Sequence, residues 1–221
     1  MITLGAMGTF TLVVGLLTLT PGLDTALILR TAALGHRRRA WGVVLGIQSG
    51  TLVWGAFTSL GVTALLTASH LAYEVLRWAG AAYLVWMGAR MLLNTLRDRW
   101  SQAVSGSSAA APTAPGFAGA AANTLAGGWR QGALTNLLNP KVGAFYVALL
   151  PQFIPAGAPH LPLGLLLTSV HVTLGLAWSA VLIAFTRMLR DWLRKPRAQQ
   201  LLDRVTGTLI VGFGLRLALA D

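Results

Sequence analysis

Two stretches of the chain place a proline in the middle of an apolar run: residues 18–30 read TLTPGLDTALILR, and residues 134–146 read LTNLLNPKVGAFY. Proline lacks a backbone N–H and its ring clashes with the preceding turn, so Pro21 and Pro140 each break or kink a helix. Proline is also favoured at the first position of a helix, and the Thr or Asn before it is a good cap. Both stretches therefore predict a helix that stops and restarts as a half-helix at its proline.

The composition around these stretches is that of a membrane protein. The chain has 221 residues, 55% of them hydrophobic and 10% charged, against about 25% charged in soluble domains, and its mean hydropathy is +0.65. Such a chain lacks the polar surface of a cytosolic enzyme, a disordered protein or a secreted module. A transmembrane helix needs about 20 mainly apolar residues, and the sequence predicts six of them: roughly 4–29, 40–66, 71–93, 131–154, 161–186 and 200–220.

A stretch of different composition divides these six helices into two sets of three. Residues 101–128 are rich in Ala, Gly, Ser and Pro and carry no charge, which predicts a flexible cytoplasmic linker. Residues 1–100 form the first three-helix repeat and residues 129–221 form the second. Because three helices per half start the second half on the opposite side of the membrane, the halves would be inverted repeats, a common plan in transporters.

The positions of the basic residues predict the orientation in the membrane. The net charge is +11, and the basic residues surround the first, third and fifth loops, whereas the second and fourth loops have none. Cytoplasmic loops carry the excess of Lys and Arg, so loops one, three and five are predicted to be cytoplasmic and both termini outside. Basic residues divided among three membrane loops form no single groove for nucleic acid, and their role is topology and contact with anionic lipid.

The basic residues next to the cytoplasmic loops also place both prolines near the middle of the membrane. Pro21 lies nine residues before Arg30 and Pro140 ten after Arg130, which is about 14 Å at 1.5 Å per residue, in a core roughly 30 Å thick. Two half-helix N-termini would present unpaired N–H groups and positive dipole ends there, an arrangement that suits a carboxylate. The alternative is a pair of ordinary proline kinks without a ligand.

Two charged residues follow the prolines inside the apolar segments. Asp24 is the only one of the six acidic residues that lies deep in a segment, and Lys141 is the only basic residue near the centre. A charge at the centre of a membrane helix costs about 2.5–3.5 kcal/mol on insertion scales, so each needs a partner or a function. We expect Asp24 and Lys141 to form a charge pair across the repeats, for which a zwitterionic substrate competes; a purely structural pair is the alternative.

The second and fifth helices carry polar and small residues in comparable places. Gly42, Gly46 and Gly50 are spaced four apart and form a stripe for close helix packing. Gln48 lies beside the stripe, and His171 is the only histidine well inside a segment. A membrane histidine commonly makes an interhelical hydrogen bond; since imidazole titrates near neutral pH, proton coupling or substrate contact is the alternative.

Cofactor, metal and catalytic signatures are missing from the sequence. The chain contains no cysteine and four scattered histidines, whereas a divalent cation prefers carboxylates or clustered imidazoles. No P-loop, HExxH motif or Ser-His-Asp order is found. We therefore expect no metal, no cofactor and no enzymatic activity.

Four runs together resemble the LysE/RhtB family of amino-acid exporters. They are residues 130–154 (RQGALTNLLNPKVGAFYVALLPQFI), 20–50 (TPGLDTALILRTAALGHRRRAWGVVLGIQSG), 78–88 (WAGAAYLVWMG) and 203–220 (DRVTGTLIVGFGLRLALA). The resemblance covers nearly the whole chain except the linker. At one point the chain differs, since many members have Pro-Gly-Pro-Asn or Pro-Gly-Pro-Asp where this chain has Leu23 and Asp24 after Pro-Gly.

The resemblance implies a six-helix secondary carrier, an antiporter, in the bacterial inner membrane. It would export small amino acids or close derivatives by alternating access, driven by protons, and the sequence does not decide whether it is a monomer or a homo-oligomer. Asp24 and His171 are the proton-coupling candidates. The residues predicted to bind substrate are Thr20, Pro21, Gly22, Asp24, Gln48, Asn136, Asn139, Pro140 and Lys141. The alternatives are an exporter of metal cations or other small solutes, and a membrane scaffold or enzyme subunit.

Overall fold

The structure of the chain, a computed structural model, describes residues 3–68, 70–104, 123–155, 157–193 and 195–219. All regular secondary structure in these ranges is helical, as the sequence predicts. The helices are α1 (Leu4–Leu19), α2 (Leu23–Ala33), α3 (Arg37–Ala68), α4 (His70–Val104), α5 (Leu125–Leu137), α6 (Pro140–Leu149), α7 (His160–Ala184), α8 (Thr186–Leu193) and α9 (Pro196–Leu219). A short 3-10 turn, Leu150–Phe153, follows α6.

Each apolar segment of the sequence lies mainly on one helix or on one broken helix. Among the described residues, two helical stretches are long and apolar enough to cross a bilayer by themselves, Arg37–Gly61 and His160–Ala184. Helices α1 and α2 together are also long and apolar enough to cross a bilayer, as one bent span. Length and composition of the described helices thus establish two or three spans, and the number six stays a prediction.

The first proline break lies between α1 and α2, whose axes differ by 50°. Thr20 ends α1 in an extended conformation, which the clash with the following proline ring favours. The new helix begins at Leu23 with Gly22 as its N-cap, two residues later than predicted, because Gly22 is also extended. The Thr20 side chain does not cap α2 as expected; its hydroxyl donates to the Leu16 carbonyl oxygen at 2.7 Å.

The second proline break lies between α5 and α6 and has the geometry that the sequence predicts. Pro140 is the first residue of α6. Asn139 caps the helix, and its side-chain oxygen accepts a hydrogen bond from the backbone N–H of Lys141 at 3.1 Å. The two breaks are therefore similar in position but different in detail, since only the second is a capped restart at the proline.

Two regions outside the predicted spans contain more helix than expected. Residues 101–104 belong to α4 and residues 125–128 to α5, so both ends of the predicted linker are helical; residues 105–122 lie outside the described part. The fifth loop contains the short helix α8, which the sequence did not indicate.

Helices α3 and α5 approach each other closely because both have glycine in the contact. A Cβ added to Gly42 or Gly46 would overlap backbone atoms of α5, and one added to Gly128 or Gly132 would overlap backbone carbonyls of α3. Such small residues let helix backbones come together in a membrane. At Gly50 the neighbour is the side chain of Asn136 instead, which brings this asparagine to the centre of the protein.

Two apolar clusters lie on either side of the helix breaks. One includes Phe10, Phe145 and Leu167, and the other includes Leu27, Val44 and Leu182. Large apolar side chains also cover the outside of the helices, as expected for a surface in contact with lipid; examples are Phe57, Trp86, Leu138 and Leu166. Buried polar residues, among them Thr20, Asn136 and Asn139, lie at the breaks.

Candidate functional site

A polar cavity lies where the two helix breaks meet, between the two apolar clusters. Its volume is about 80 Å³, so it suits a small solute, whereas pockets for drug-sized ligands measure about 300–1,000 Å³. Apolar side chains from both clusters, such as Leu17 and Ile28, form part of its wall. Its polar lining consists of Thr18, Thr20, Asp24, Thr25, Gln48, Thr51, Asn136, Asn139, Lys141, His171 and Ser179.

The carboxylate of Asp24 is held by two amides from the other half of the chain. Asn136 donates from Nδ2 to Asp24 Oδ2 at 2.9 Å, and Asn139 donates from Nδ2 to Asp24 Oδ1 at 3.4 Å. Asp24 is in the first turn of α2, where the positive end of the helix dipole favours an anion. These amides and the helix dipole stabilise the Asp24 carboxylate, for which the sequence analysis predicted an ammonium partner.

The ammonium group of Lys141, a residue of α6, lies at the break between α1 and α2. Its Nζ donates to the backbone oxygen of Thr20 at 3.4 Å, and it is the nearest atom, at 4.0 Å, to a Cβ added to Gly22. The hydrogen bonds of Asp24 and Lys141 in the described part of the chain go to these other groups, and the charge pair expected between the two residues stays a prediction. Asp24 still attracts the Lys141 ammonium electrostatically, so one cavity contains an anion and a cation that do not neutralise each other by contact.

Asn136 is positioned by its contact with α3. Its side chain is 1% exposed, its Nδ2 is used by Asp24, and its Oδ1 is buried without a hydrogen-bond partner among the described residues. A Cβ added to Gly50 would come within 2.6 Å of this Oδ1. The absence of a side chain at Gly50 therefore leaves the space in which Asn136 turns its amide donor towards Asp24.

The last helix contributes two residues that the sequence analysis missed. The hydroxyl of Thr206 is hydrogen-bonded to that of Thr20, and the Asp203 carboxylate, one turn earlier on α9, also attracts the Lys141 ammonium group. The signal was present, because an Asp and a Thr spaced by three lie on the same helix face. Asp203 lies near the end of its predicted segment and for this reason was not counted among the deep charges.

His171 lines the cavity and is bonded to a tyrosine that the sequence analysis also missed. The Tyr146 hydroxyl and His171 Nδ1 are 2.9 Å apart, and the two rings are stacked with centroids 5.8 Å apart. Tyr146 is fully buried in α6. The usual interhelical hydrogen bond of a membrane histidine is therefore present, although His171 also faces the cavity.

Gln48 and Thr51 bring α3 to the cavity, and Gly175 and Trp178 bring α7. A Cβ added to Gly175 would lie 2.7 Å from Gln48 Nε2, so the glutamine side chain packs against the backbone of α7 at this glycine. The indole N–H of Trp178 is buried without a hydrogen-bond partner in the described part of the chain.

Most of the residues predicted to bind substrate line this cavity. Seven do so: Thr20, Gly22, Asp24, Gln48, Asn136, Asn139 and Lys141. Pro21 and Pro140 do not belong to the lining, because each proline shapes its break while the residues beside it face the cavity. Across the described ranges, no three His, Cys, Asp or Glu side chains are grouped closely enough to hold a metal ion.

A helical chain with an apolar exterior, two broken helices and a small polar cavity at the breaks defines an integral membrane protein of the transporter class. The family model for LysE type translocators matches residues 16–221. The chain belongs to this family.

Three relatives match over nearly the whole chain. A Vibrio cholerae protein named as an uncharacterized membrane protein is 31% identical over 204 residues, 91% of each chain. YrhP of Bacillus subtilis, also named as an uncharacterized membrane protein, is 25% identical over 213 residues, 94% of this chain and 96% of its own. The homoserine/homoserine lactone efflux protein of Salmonella typhimurium is 28% identical over 213 residues, 93% of this chain and 92% of its own. No solved structure matches the chain.

Family membership establishes the general activity. The protein is a membrane-embedded translocator of the exporter type and not an enzyme. The resemblance noted from the sequence motifs is thereby confirmed.

Proposed function

We propose that the protein exports small amino acids or close derivatives from the cytoplasm and binds them in the cavity at the two helix breaks. The observation that carries this proposal is the presence of Asp24 and Lys141 in one small cavity without a direct ion pair between them. A zwitterionic amino acid has the complementary charges. Its ammonium group donates to the Asp24 carboxylate, and its carboxylate accepts from Lys141 Nζ.

The broken helices strengthen this binding. The first turn of α2 begins at Leu23, and its cap Gly22 has no side chain to bond the first N–H groups, so α2 directs these N–H groups towards the break. The first N–H groups of α6 are bonded to Asn139, so α6 contributes only the positive end of its dipole. Such N-termini favour a carboxylate. The amide donors of Asn136 and Asn139 hold the Asp24 carboxylate in place before the substrate arrives, which reduces the ordering needed on binding.

Transport follows alternating access between two inverted three-helix repeats. This is supported by the paired breaks, by the packing of α4 against α9, the third helix of each proposed repeat, and by the alternation of basic and neutral loops. The six spans have loops one, three and five in the cytoplasm of a bacterial cell and both termini outside.

Proton coupling uses a group that lines the cavity. Asp24 and His171 are the candidates, since both are titratable and both face the space that the substrate fills. Protonation of Asp24 would remove the anion that holds the substrate ammonium group. Binding of substrate and binding of a proton would therefore exclude each other at this site, and uptake of a proton would accompany release of the substrate.

The test is exchange transport in liposomes that contain the purified protein. Two relatives are named homoserine/homoserine lactone efflux proteins, so labelled L-homoserine is the first substrate and L-alanine the second. Asp24→Asn removes the charge that pairs with the substrate ammonium group, and Lys141→Met removes the charge that pairs with the substrate carboxylate. The loss of either desolvated pair costs about 2–5 kcal/mol of binding free energy and lowers transport about 30-fold or more. Lys195→Met, which changes the other lysine of the chain at an exposed position, should leave transport unchanged.

Full exchange by both cavity variants would contradict the proposed site. Exchange of divalent cations, with no exchange of any amino acid, would favour the metal exporter instead.

A further inference from the structure

A second group of polar side chains faces the cavity, apart from the charged residues. Thr25 and Gln48 are each 7% exposed and Thr51 is 3% exposed, and all three line the cavity. In the part of the chain that the structure describes, none of the three side chains makes a hydrogen bond, yet their polar atoms are not sealed off as those of Trp178 are. We call Thr25, Gln48 and Thr51 the uncharged polar group.

The hydroxyls of this group differ from most of the other helical hydroxyls that the structure describes. Most helical Ser and Thr hydroxyls whose bonds the structure describes donate to the backbone carbonyl one turn earlier, as Thr18 does to Val14 and Thr168 does to Gly164. Thr25 and Thr51 make no such bond. Their hydroxyls therefore keep their donor and acceptor capacity for whatever occupies the cavity.

Gln48 is placed by a contact that depends on glycine. Its amide lies against Gly175 of α7, where a Cβ would lie 2.7 Å from Nε2 and 3.0 Å from Oε1. Because Gly175 has no side chain, the amide can lie deep between α3 and α7, where Gln48 lines the cavity. Buried polar groups are strongly selected to have partners, so the three side chains predict a ligand that supplies them.

We propose that the uncharged polar group is the subsite for the substrate side chain and that it selects an uncharged side chain with a hydroxyl or amide. This inference rests on the proposed function, in which Asp24 and Lys141 bind the ammonium and carboxylate groups that all amino acids share. An aliphatic side chain would leave the three polar side chains without partners. A charged side chain would find no opposite charge among Thr25, Gln48 and Thr51.

Isosteric pairs of amino acids test the selectivity directly. Calorimetric titration of the purified full-length protein compares L-threonine with L-valine and L-homoserine with L-norvaline, where a methyl group replaces the hydroxyl. One or two hydrogen bonds, with polar groups left unpaired in the analogue, predict that the hydroxyl member binds about tenfold or more tightly.

Two variants test the residues, each with a matched control. Thr51→Val and Gln48→Met should lower the hydroxyl preference severalfold while both members of a pair still bind. Thr173→Val and Gln152→Met alter side chains that are bonded to backbone carbonyls four residues earlier, at Ser169 and Ala148, and should keep the wild-type preference. The ratio of the two affinities within an amino-acid pair does not change if a substitution only reduces the amount of folded protein. If one variant fails to fold, the other is sufficient for the test.

The outcomes separate this inference from the proposed function. Equal binding of both members of each pair to the wild-type protein, or a preference that survives in Thr51→Val and Gln48→Met, overturns the subsite and leaves amino-acid binding intact. No binding of L-alanine or of any member of the pairs overturns the proposed function, and the subsite with it.

Discussion

The substitution Gly50→Ala tests how the cavity is held in place. Gly50 lies in α3 opposite Asn136 of α5, and an added Cβ would be 2.6 Å from Asn136 Oδ1 and 3.1 Å from its Cβ and Cγ. Ordinary contacts begin at 3.4 Å, so the amide would have to move by about 0.8 Å. The surrounding helices leave no room for the backbone to adjust, because Gly46 and Gly132 already touch backbone atoms of the facing helix.

The expected loss of stability follows from these contacts. Displacing the amide breaks its 2.9 Å hydrogen bond to the Asp24 carboxylate, and a hydrogen bond to a charged group contributes about 1.5–3 kcal/mol. Overpacking adds about 1–3 kcal/mol, and the better helix propensity of Ala returns about 1 kcal/mol. We expect Gly50→Ala to lower the free energy of unfolding by about 2–4 kcal/mol.

The measurement is equilibrium unfolding of the purified protein in detergent with increasing dodecyl sulfate. Gly61→Ala is the matched control, since Gly61 lies in the same helix and a Cβ there would have nothing within 4 Å; it should be neutral or slightly stabilising. Asn136→Ala removes the amide, whose Oδ1 is the atom nearest to the new methyl group, so the double variant should lose clearly less than the sum of the two single losses. Gly50→Ala that is as stable as Gly61→Ala, or strict additivity in the double variant, would refute the reasoning.

The remaining predictions concern topology and the histidine pair. Single cysteines at Arg38, Ser107 and Lys195 should be protected from a membrane-impermeant thiol reagent in intact cells and one at Gly157 should react, because the basic loops are expected to be cytoplasmic; the native chain has no cysteine, and the reverse labelling would invalidate the topology. Tyr146→Phe should lower the free energy of unfolding by about 0.5–1.5 kcal/mol because His171 loses its 2.9 Å partner, with exchange transport retained. Tyr83→Phe, in a half-buried tyrosine of α4, is its control, and an equal effect of both substitutions would count against the buried pair.

The helix breaks could be read from the sequence because proline acts on its own turn. The missing N–H and the ring clash at Pro140 depend on neighbours within one turn of helix, and the Asn139 cap is equally local. At Pro21 the same argument located the break but missed its end by two residues, because the backbone of Gly22 extends it. Glycine adopts many conformations, so its identity alone does not say where the next helix begins.

The membrane character of the chain and the importance of Asp24 and Lys141 could also be predicted from the sequence. Apolar runs of about 20 residues and the cost of a charge inside them require no knowledge of the packing. The sequence thereby determined that the two charges need polar neighbours, and both residues do line the cavity.

Only the tertiary structure decided which neighbours these are. Asn136 lies 112 residues from Asp24 along the chain, and it reaches Asp24 only because Gly50 leaves space on the facing helix. In the same way Gln48 depends on Gly175, and Lys141 meets the Thr20 carbonyl rather than the Asp24 carboxylate. The physical reason is that a helical pattern determines which residues share a face, whereas the rotation and crossing of the helices determine which faces meet, and those depend on close packing across the whole chain.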